Sequence, residues 1–374
     1  MKIACICAFP RKMNYGMLSV DLAFKDFCDK SLDSAVEVTH FNIEEKITID
    51  CGRDRKIEYH ILIDPEKQLS IFDAIVIWGD FTTSFVYKED VKKHLVSKLG
   101  LSQRDAVDRY YNTLLLDGCS KDFLQKVLIV SSNILPNSEK KMDQRYKDSA
   151  SRLYSYAAAI IPRDPMSTAM AQLLRCSSKA VTCGIDAAFF LDSRLSKKIV
   201  KKDQIGYSFG RTISPKKGLI RRFTIQRFIN SISSITGIKL QNISWKSSDG
   251  DPFLFHEKLD ELRCCRFIIT DTYHCAINSI REGVPVICIG DGSSHQSTTL
   301  DDKKKEYMFH SFMGQNYYTF IDNFRMIFDS KRIVRDIADM ALDESLFKYF
   351  CNNIEIAKCN QIADFQSAIA KIRE

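Results

Sequence analysis

Short apolar runs alternate with helix-periodic segments along most of this 374-residue chain. The apolar runs have the length and β-branched content of buried strands, and they lie at residues 2–8, 36–41, 74–78, 126–132, 157–161, 179–184, 204–210, 238–244, 266–270 and 285–290. Apolar residues with helical spacing lie between them, for example at residues 16–28, 87–99, 221–233 and 253–265. This alternation predicts an α/β protein with mainly parallel sheets that are covered on both faces.

The pattern divides the chain into two doubly wound parallel-sheet halves and a helical tail. A composition change near residues 162–176 predicts the boundary, so we expect domains at residues 1–165 and 166–330. Strand patterns stop at about Lys331, which predicts helices over residues 331–374 that pack back on the domains. With 45% apolar side chains, a chain of this length can bury two cores of ordinary size.

Composition narrows the range of partners. Lys and Arg total 54 against 47 Asp and Glu, a formal net charge of +7. This modest excess suits an anionic small substrate or an anionic membrane face, and it argues against a nucleic-acid partner, which needs a steeper local excess. Eight basic residues fall within one short stretch, which predicts a solvated charged face or a patch for anionic lipid: Lys197, Lys198, Lys201, Lys202, Lys216, Lys217, Arg221 and Arg222.

The 13 cysteines and the N-terminus bear on metal binding and location. No CxxC pair with a histidine partner is present, so we expect reduced, packed thiols and no metal site. The first apolar run is too short for a signal peptide, and no run approaches the length of a membrane span. We therefore expect a cytoplasmic protein.

In doubly wound sheets, ligands bind beyond the carboxyl ends of the strands, and several strand ends here carry polar residues. Asn14 and Gly16 follow the first strand without a GxGxxG motif, which argues against a nicotinamide dehydrogenase. Gly79, Asp80 and Thr82 follow the third strand. Gly79 either lets a backbone approach closely or forms an ordinary tight turn.

Two further strand ends carry arginine. Arg163 and Asp164 precede a helix that Ser167 can cap. A free helix N-terminus beside an arginine can bind phosphate or carboxylate, although a local ion pair between Arg163 and Asp164 explains the same residues. Arg211 follows the strand that ends at Gly210, and by itself it is equally a surface arginine.

The segment TDTYHCAINSIREGVPVICIG, residues 270–290, places His274 in the first turn of a helix that Asp271 or Thr272 can cap. Gly283 and Pro285 end this helix. The helix dipole disfavours the imidazolium form there, so we expect a neutral ring that can accept a proton. A capping or packed polar histidine is the alternative.

The order of five segments resembles that of the polysaccharide pyruvyl transferase family. These segments are RDxxS (163–167), GIDAAFFL (184–191), GYSFGR (206–211), DTYHCAINSIREGVPVICIG (271–290) and DDKKKEYMF (301–309). The resemblance runs from about Met1 to Phe312 and is strongest after Pro162. It implies two Rossmann-like domains in a GT-B-like arrangement, and transfer of an enolpyruvate-derived unit from phosphoenolpyruvate onto sugar hydroxyls as a ketal.

The resemblance also implies roles for individual residues. Arg163 and Arg211 would clamp the carboxylate and phosphate of the donor, because a guanidinium binds either oxyanion in a bidentate way. His274 would take a proton from the sugar hydroxyl or deliver one to the methylene carbon. No metal or organic cofactor is needed. From their places at strand ends, we also expect the following residues on the substrate side: Asn14, Gly16, Gly79, Asp80, Asp164 and Ser167.

One position departs from the family pattern. Thr272 stands where the family typically has an arginine two residues before the histidine. Arg281, Lys303 and Lys304 are the candidates to replace this anion contact. Arg281 lies seven residues after His274, about 10 Å along a helix axis, so it would reach the site only partly.

Two other functions stay open at this point. One is a GT-B glycosyltransferase that uses a nucleotide sugar, and the other is a non-catalytic glycan-binding member of the family, which Thr272 keeps open. A hydrolase is disfavoured because no G-x-S-x-G motif is present. The expected acceptor is a sugar or a lipid-linked oligosaccharide, with peripheral contact at the inner face of an anionic membrane.

Overall fold

The computed structural model describes residues 1–7, 14–32, 35–79, 83–134, 141–175, 181–192, 200–210, 219–245, 251–290, 300–321 and 330–374. Its strands are β1 (Lys2–Ile6), β2 (Glu37–Asn42), β3 (Ile47–Asp50), β4 (Lys56–Ile61), β5 (Ala74–Trp78), β6 (Val127–Val130), β7 (Ala159–Ile161), β8 (Gln204–Ser208), β9 (Lys239–Asn242), β10 (Phe267–Thr270), β11 (Val286–Ile289) and β12 (Tyr318–Thr319).

The helices lie mostly between these strands, as crossover connections of parallel sheets require. They are α1 (Tyr15–Ser31), α2 (Pro65–Leu69), α3 (Lys88–Leu99), α4 (Gln103–Leu114), α5 (Lys121–Leu124), α6 (Gln144–Tyr156), α7 (Pro165–Leu174), α8 (Leu219–Thr236), α9 (Phe255–Arg263), α10 (Tyr273–Arg281), α11 (Leu300–Ser311), α12 (Ser330–Leu342) and α13 (Glu344–Arg373).

The strands form two sheets. The first has the order β3-β4-β2-β1-β5-β6-β7, and its neighbours pair in parallel except β3 with β4. The second has the order β12-β11-β10-β8-β9 and is parallel throughout. The predicted fold of two doubly wound parallel-sheet halves is confirmed. The carboxyl ends of each parallel set meet at one edge, where the loops with polar residues begin.

The pattern missed three strands at or near the sheet edges, namely β3, β4 and β12. β3 and β4 alternate buried and exposed positions, so charged residues such as Glu58 interrupt the apolar run. β12 is only two residues long. The strand predicted at residues 179–184 is wrong within the described part, where Val181 forms only an isolated bridge with Ile160.

The described residues form two hydrophobic cores, which are divided by the first sheet and not by the boundary between the halves. The smaller core lies on one face of that sheet and includes Ile77 and Ile129. The larger core includes Cys5 of β1 and also Ile269 of β10 and Phe365 of α13. Apolar packing is therefore continuous from the first half to the second.

The last helix of the tail, α13, packs partly on the first half. In α13, Gln361 Nε2 donates to Ser131 Oγ at 2.8 Å, and its Oε1 accepts from the Ile185 amide at 2.7 Å. The Phe365 ring lies 4.8 Å from Phe27 of α1. The cysteines that the structure describes are free thiols. Among the described helices, none is long and apolar enough to cross a bilayer.

A carboxyl group lies inside the larger core. Asp21 of α1 is buried and accepts a hydrogen bond from Tyr59 Oη at 2.8 Å. Desolvation raises the pKa of Asp21 to about 8. The His40 ring lies 5.9 Å from Tyr59, and burial lowers its pKa to about 4. The core therefore favours the neutral form of both side chains.

Replacing Asp21 with Asn is expected to remove one source of pH dependence in stability. The folded chain holds the Asp21 proton up to about pH 8, whereas the unfolded chain loses it near pH 4. The free energy of unfolding of the wild type should therefore fall by roughly 1.4 kcal/mol per pH unit between these limits, relative to Asp21→Asn. Asparagine keeps the acceptor for Tyr59 but does not ionise.

Melting temperatures of the two proteins from pH 5 to pH 9 check this prediction. The opposite contribution of His40 is shared by both proteins and cancels in the difference. Asp29→Asn is the control, because this carboxylate of the same helix has a side chain that is 52% exposed. Parallel pH curves for the wild type and Asp21→Asn would contradict the prediction.

Candidate active site

The two halves meet where α1 crosses α10. Gly16 lies in the first turn of α1, and a Cβ on it would come within 2.5 Å of the His274 Cβ. Farther along, Asn278 Nδ2 donates to Ser19 Oγ at 3.1 Å and to the His274 carbonyl at 2.7 Å. Asn14 is the N-cap of α1, and its Oδ1 accepts from the Gly16 amide at 2.9 Å. Because Gly16 has no side chain, it leaves room for the side chain of His274.

His274 occupies the first turn of α10, as the sequence predicts. His274 is only 8% exposed, and its Nε2 lies 3.7 Å from Asp186 Oδ2. The ring packs at 5.2 Å from that of Tyr273. The helix N-terminus repels a proton from the ring, whereas the Asp186 carboxylate attracts one. The imidazole is therefore held between two opposing influences on its charge.

Asp186 connects His274 to Arg163. Arg163 Nη1 donates to Asp186 Oδ2 at 3.0 Å, and Arg163 Nε donates to Asp164 Oδ2 at 3.4 Å. The guanidinium also lies 4.9 Å above the Tyr273 ring, and its side chain is only 1% exposed. The local ion pair with Asp164 is present, and protein groups surround Arg163. This geometry favours a role in holding Asp186 over a role in clamping a donor anion.

Asp186 is one of the site residues that reasoning from the sequence missed. It lies in a loop just before a 3-10 turn, Ala187–Phe190, and its Oδ1 accepts from the Ala188 amide at 2.9 Å. It is 2% exposed. The signal was a single acidic residue between buried apolar neighbours in the segment 184–191, since a buried carboxylate needs partners.

The N-terminus of α7 is capped differently from the prediction. Asp164 is the N-cap, and its Oδ1 accepts from the Ser167 amide at 2.7 Å. Ser167 lies inside the helix, and its Oγ accepts from the Ile134 amide at 3.0 Å. The cap predicted at Ser167 is therefore wrong. The chain's own carboxylate caps this helix end, and the anion site expected there stays a prediction.

Lys304 joins the cluster from the second half. It lies on α11, and its Nζ donates to Asn133 Oδ1 at 2.8 Å in the amide orientation in which Arg163 Nη2 also donates to that oxygen, at 3.1 Å. Lys304 Nζ is also 3.4 Å from Tyr87 Oη. A buried cation of the second half thus reaches the loops of the first half. Its neighbour Lys303 is half-buried.

A sequence profile of the polysaccharide pyruvyl transferase family matches residues 31–293, which is more than half of the chain. The chain belongs to the polysaccharide pyruvyl transferase family. Membership in this family makes it a transferase. No curated protein matches the sequence.

Solved structures support the fold of this pyruvyl transferase family member. UDP-GlcNAc 2-epimerase from Methanocaldococcus jannaschii aligns with a TM-score of 0.51 and 11% identity, over 92% of this chain and 93% of that one. UDP-GlcNAc 2-epimerase from Neisseria meningitidis, bound to UDP-GlcNAc, aligns with a TM-score of 0.50 and 10% identity, over 98% and 99%. At such low identity the likeness shows the shared GT-B-like fold alone.

Thr272 takes the place where the family resemblance leads us to expect an arginine. It occupies the N-cap position of α10, but its side chain does not cap the helix. Thr272 Oγ1 donates to Asp271 Oδ1 at 3.1 Å, and that oxygen also accepts from the Gly210 amide at 2.9 Å. Side-chain capping by Thr272 is therefore not observed, and this position contributes no cation.

Other candidates of the pyruvyl transferase site lie outside the cluster. Arg281 Nε donates to Glu282 Oε1 at 3.0 Å, and Arg281 Nη1 lies 3.5 Å from the Ala188 carbonyl. The structure thus ties Arg281 to the turn after Asp186 and does not bring it to His274. Gly79 has a φ of +82° and packs on Val20 of α1, which explains its glycine. Asp80, Thr82 and Arg211 lie outside the described residues.

Proposed function

We propose that this protein transfers a pyruvyl group from phosphoenolpyruvate to two hydroxyls of one sugar, as a ketal, in a cell-surface glycan or its lipid-linked precursor. The observation that carries the proposal is the buried contact of His274 with Asp186 at the junction of the two halves. This contact supplies a proton-transfer group and a carboxylate that orients it. Ketal formation from an enol phosphate needs proton transfer at carbon and at oxygen.

The donor carries two anionic groups, so the site must supply cations. Lys304 is our main candidate among the described residues, because its buried ammonium belongs to the second half and reaches Asn133. Arg211 is the second candidate, from its place in the sequence after β8. Arg163, which Asp164 and Asp186 already neutralise, is assigned to positioning.

The reaction then proceeds in balanced steps. His274 delivers a proton to C3 of phosphoenolpyruvate, and the electron pair of the C2–C3 double bond forms the new C–H bond. The electrophilic C2 is attacked by one sugar hydroxyl, whose proton returns to the now neutral His274. Phosphate departs with the C2–O bonding pair, and the neighbouring hydroxyl adds to C2 and loses its proton to solvent or phosphate. The scheme requires no metal or organic cofactor.

Donor binding is the direct test. We expect isothermal calorimetry to detect binding of phosphoenolpyruvate and no comparable binding of UDP-sugars or GDP-sugars. Lys304→Met should weaken phosphoenolpyruvate binding by about tenfold or more, because a hydrogen bond to a charged group is lost. Lys303→Met compares the adjacent candidate, and Lys239→Met, at an exposed position on the outer strand β9, is the matched control.

Two results would redirect the assignment. Tight binding of a nucleotide sugar without phosphoenolpyruvate binding would indicate a glycosyltransferase. Binding of neither donor, together with binding of glycan fragments, would indicate a non-catalytic glycan-binding member of the family.

A further inference from the structure

The four described residues of the basic stretch, Lys201, Lys202, Arg221 and Arg222, do not form one surface. Arg221 is buried, and its guanidinium donates to the carbonyls of Ile321 and Gly290, the latter at 3.3 Å. Lys201 and Lys202 precede β8, at the amino edge of the second sheet. Lys197, Lys198, Lys216 and Lys217 lie outside the described residues. Arg222 is exposed on α8, next to a group of exposed apolar side chains.

Three large apolar side chains are exposed side by side at the start of α8. Leu219 is 80% exposed, Ile220 71% and Phe223 66%. Adjacent and one-turn spacing places them on one side of the helix. Exposed apolar residues scattered singly are ordinary, whereas a contiguous group marks a contact surface.

α12 packs against α8, and the direction of the two helices, argued below, places the first turns of both at the same end. We call the combined surface the α8–α12 face, and define it by Leu219, Ile220, Arg222, Phe223, Lys331 and Arg332. In the described residues 219–226 and 331–337, the exposed charged side chains are Arg222, Lys331, Arg332, Arg335 and Asp336. The three cations of the face, Arg222, Lys331 and Arg332, give it a positive charge, and the neighbouring Arg335 and Asp336 offset each other.

The α8–α12 face lies at the carboxyl edge of the second sheet, where α10 with His274 also begins. α8 connects the parallel strands β8 and β9, so it starts at their carboxyl edge and runs back. The other end of α12, at Leu342, lines a groove with Arg266 and Pro285 at the amino edge. The first turns of both helices are therefore at the carboxyl edge, where α10 also begins after β10.

We propose that the α8–α12 face docks the protein on an anionic lipid bilayer. Apolar side chains that project beside cations match an interface in which acyl chains lie beneath anionic headgroups. Each cation near such a surface adds to the attraction, and the three apolar residues bury against the acyl boundary. The location at the site edge would bring a lipid-linked acceptor to His274, and this clause alone rests on the proposed function.

Tryptophan fluorescence measures docking without any donor or acceptor. The chain has two tryptophans, Trp78 and Trp245, and both are fully buried. Phe223→Trp therefore adds an exposed reporter at the α8–α12 face. We expect its emission to shift to the blue and gain intensity with vesicles of equimolar phosphatidylcholine and phosphatidylglycerol, and to stay unchanged with pure phosphatidylcholine vesicles.

Flotation of the otherwise wild-type protein with the same vesicles gives the second measurement. The triple variant Leu219→Ser, Ile220→Ser, Phe223→Ser and the charge variant Arg222→Glu, Lys331→Glu, Arg332→Glu should each lose about tenfold or more in vesicle partitioning. The matched control is Tyr349→Ser, Ile356→Ser on α13, where the residues are 55% and 58% exposed. It should float like the wild type.

Three outcomes would overturn the proposal. They are failure of the wild type to float, equal flotation of the triple variant, and self-association that the triple variant abolishes in the absence of vesicle binding. The last would make the face a contact between two copies of the chain. Calorimetry with phosphoenolpyruvate on the same variants tests the proposed function separately, because donor binding should persist in all of them. Failure of the wild type to dock, with intact donor binding, would therefore contradict only the docking proposal.

Discussion

His274→Ala is expected to lower turnover by about 10² to 10⁴-fold while leaving phosphoenolpyruvate binding within a few-fold of wild type. The imidazole is the proposed proton carrier, so its loss acts on the chemical steps more than on the ground state. Turnover is measured as phosphate release from phosphoenolpyruvate in the presence of a panel of sugar acceptors. Donor affinity is measured by calorimetry on the same preparations.

A second buried histidine supplies the matched control. His256 of α9 is 5% exposed, and burial lowers its pKa to about 4, but it lies outside the Asp186 cluster. His256→Ala should change the melting temperature and leave turnover per folded molecule near that of the wild type. Full activity in His274→Ala would contradict the proposed mechanism, while the family assignment would be unaffected.

Asp186→Asn should have the other large effect, in both turnover and stability. The variant keeps the side-chain size and an acceptor for Arg163, but it removes the charge next to His274 and leaves the ion pair of Arg163 with Asp164 in place. We expect turnover to fall by about 10²-fold or more, because a neutral amide orients the imidazole less well and does not stabilise its protonated form. We also expect a stability loss of about 3 kcal/mol from the broken buried pair.

A double-mutant cycle separates the two roles of Asp186. If it acts through His274, Asp186→Asn should reduce turnover little further in the His274→Ala background, whereas the loss of melting temperature should persist there. The pH profile of kcat in Asp186→Asn should also shift relative to wild type. Multiplicative losses of activity in the double variant, with an unchanged pH profile in the single variant, would assign Asp186 a purely structural role.

Sequence pattern predicted the inner strands well because they are buried on both faces and read as unbroken apolar runs. β3 and β4 escaped because one face is solvated, and β12 because two residues carry too little pattern. A local sequence pattern also could not predict which residues share each hydrophobic core. Whether Ile269 packs with residues of the first half depends on how the two sheets are placed, which no window of the sequence encodes.

The site was predictable where a residue's role depends on its own helix. His274 was placed in the first turn of α10 because a strand, a polar turn and a helical pattern follow one another. Asp186 and Asn133 belong to loops, and only the folding of the chain brings them to Arg163. The cap of α7 was assigned to the wrong residue because Asp164 and Ser167 both suit that role, and only backbone dihedrals decide between them.

The larger core has a consequence for how the protein melts. Because the same apolar cluster contains residues of both sheets, and α13 returns to pack on the first half, unfolding either half would expose surface of the other. The free energy of the contact between the two halves is then large compared with the small net stability of each half. Calorimetry should show a single endotherm whose van't Hoff and calorimetric enthalpies agree, so the two Rossmann-like halves behave as one cooperative unit.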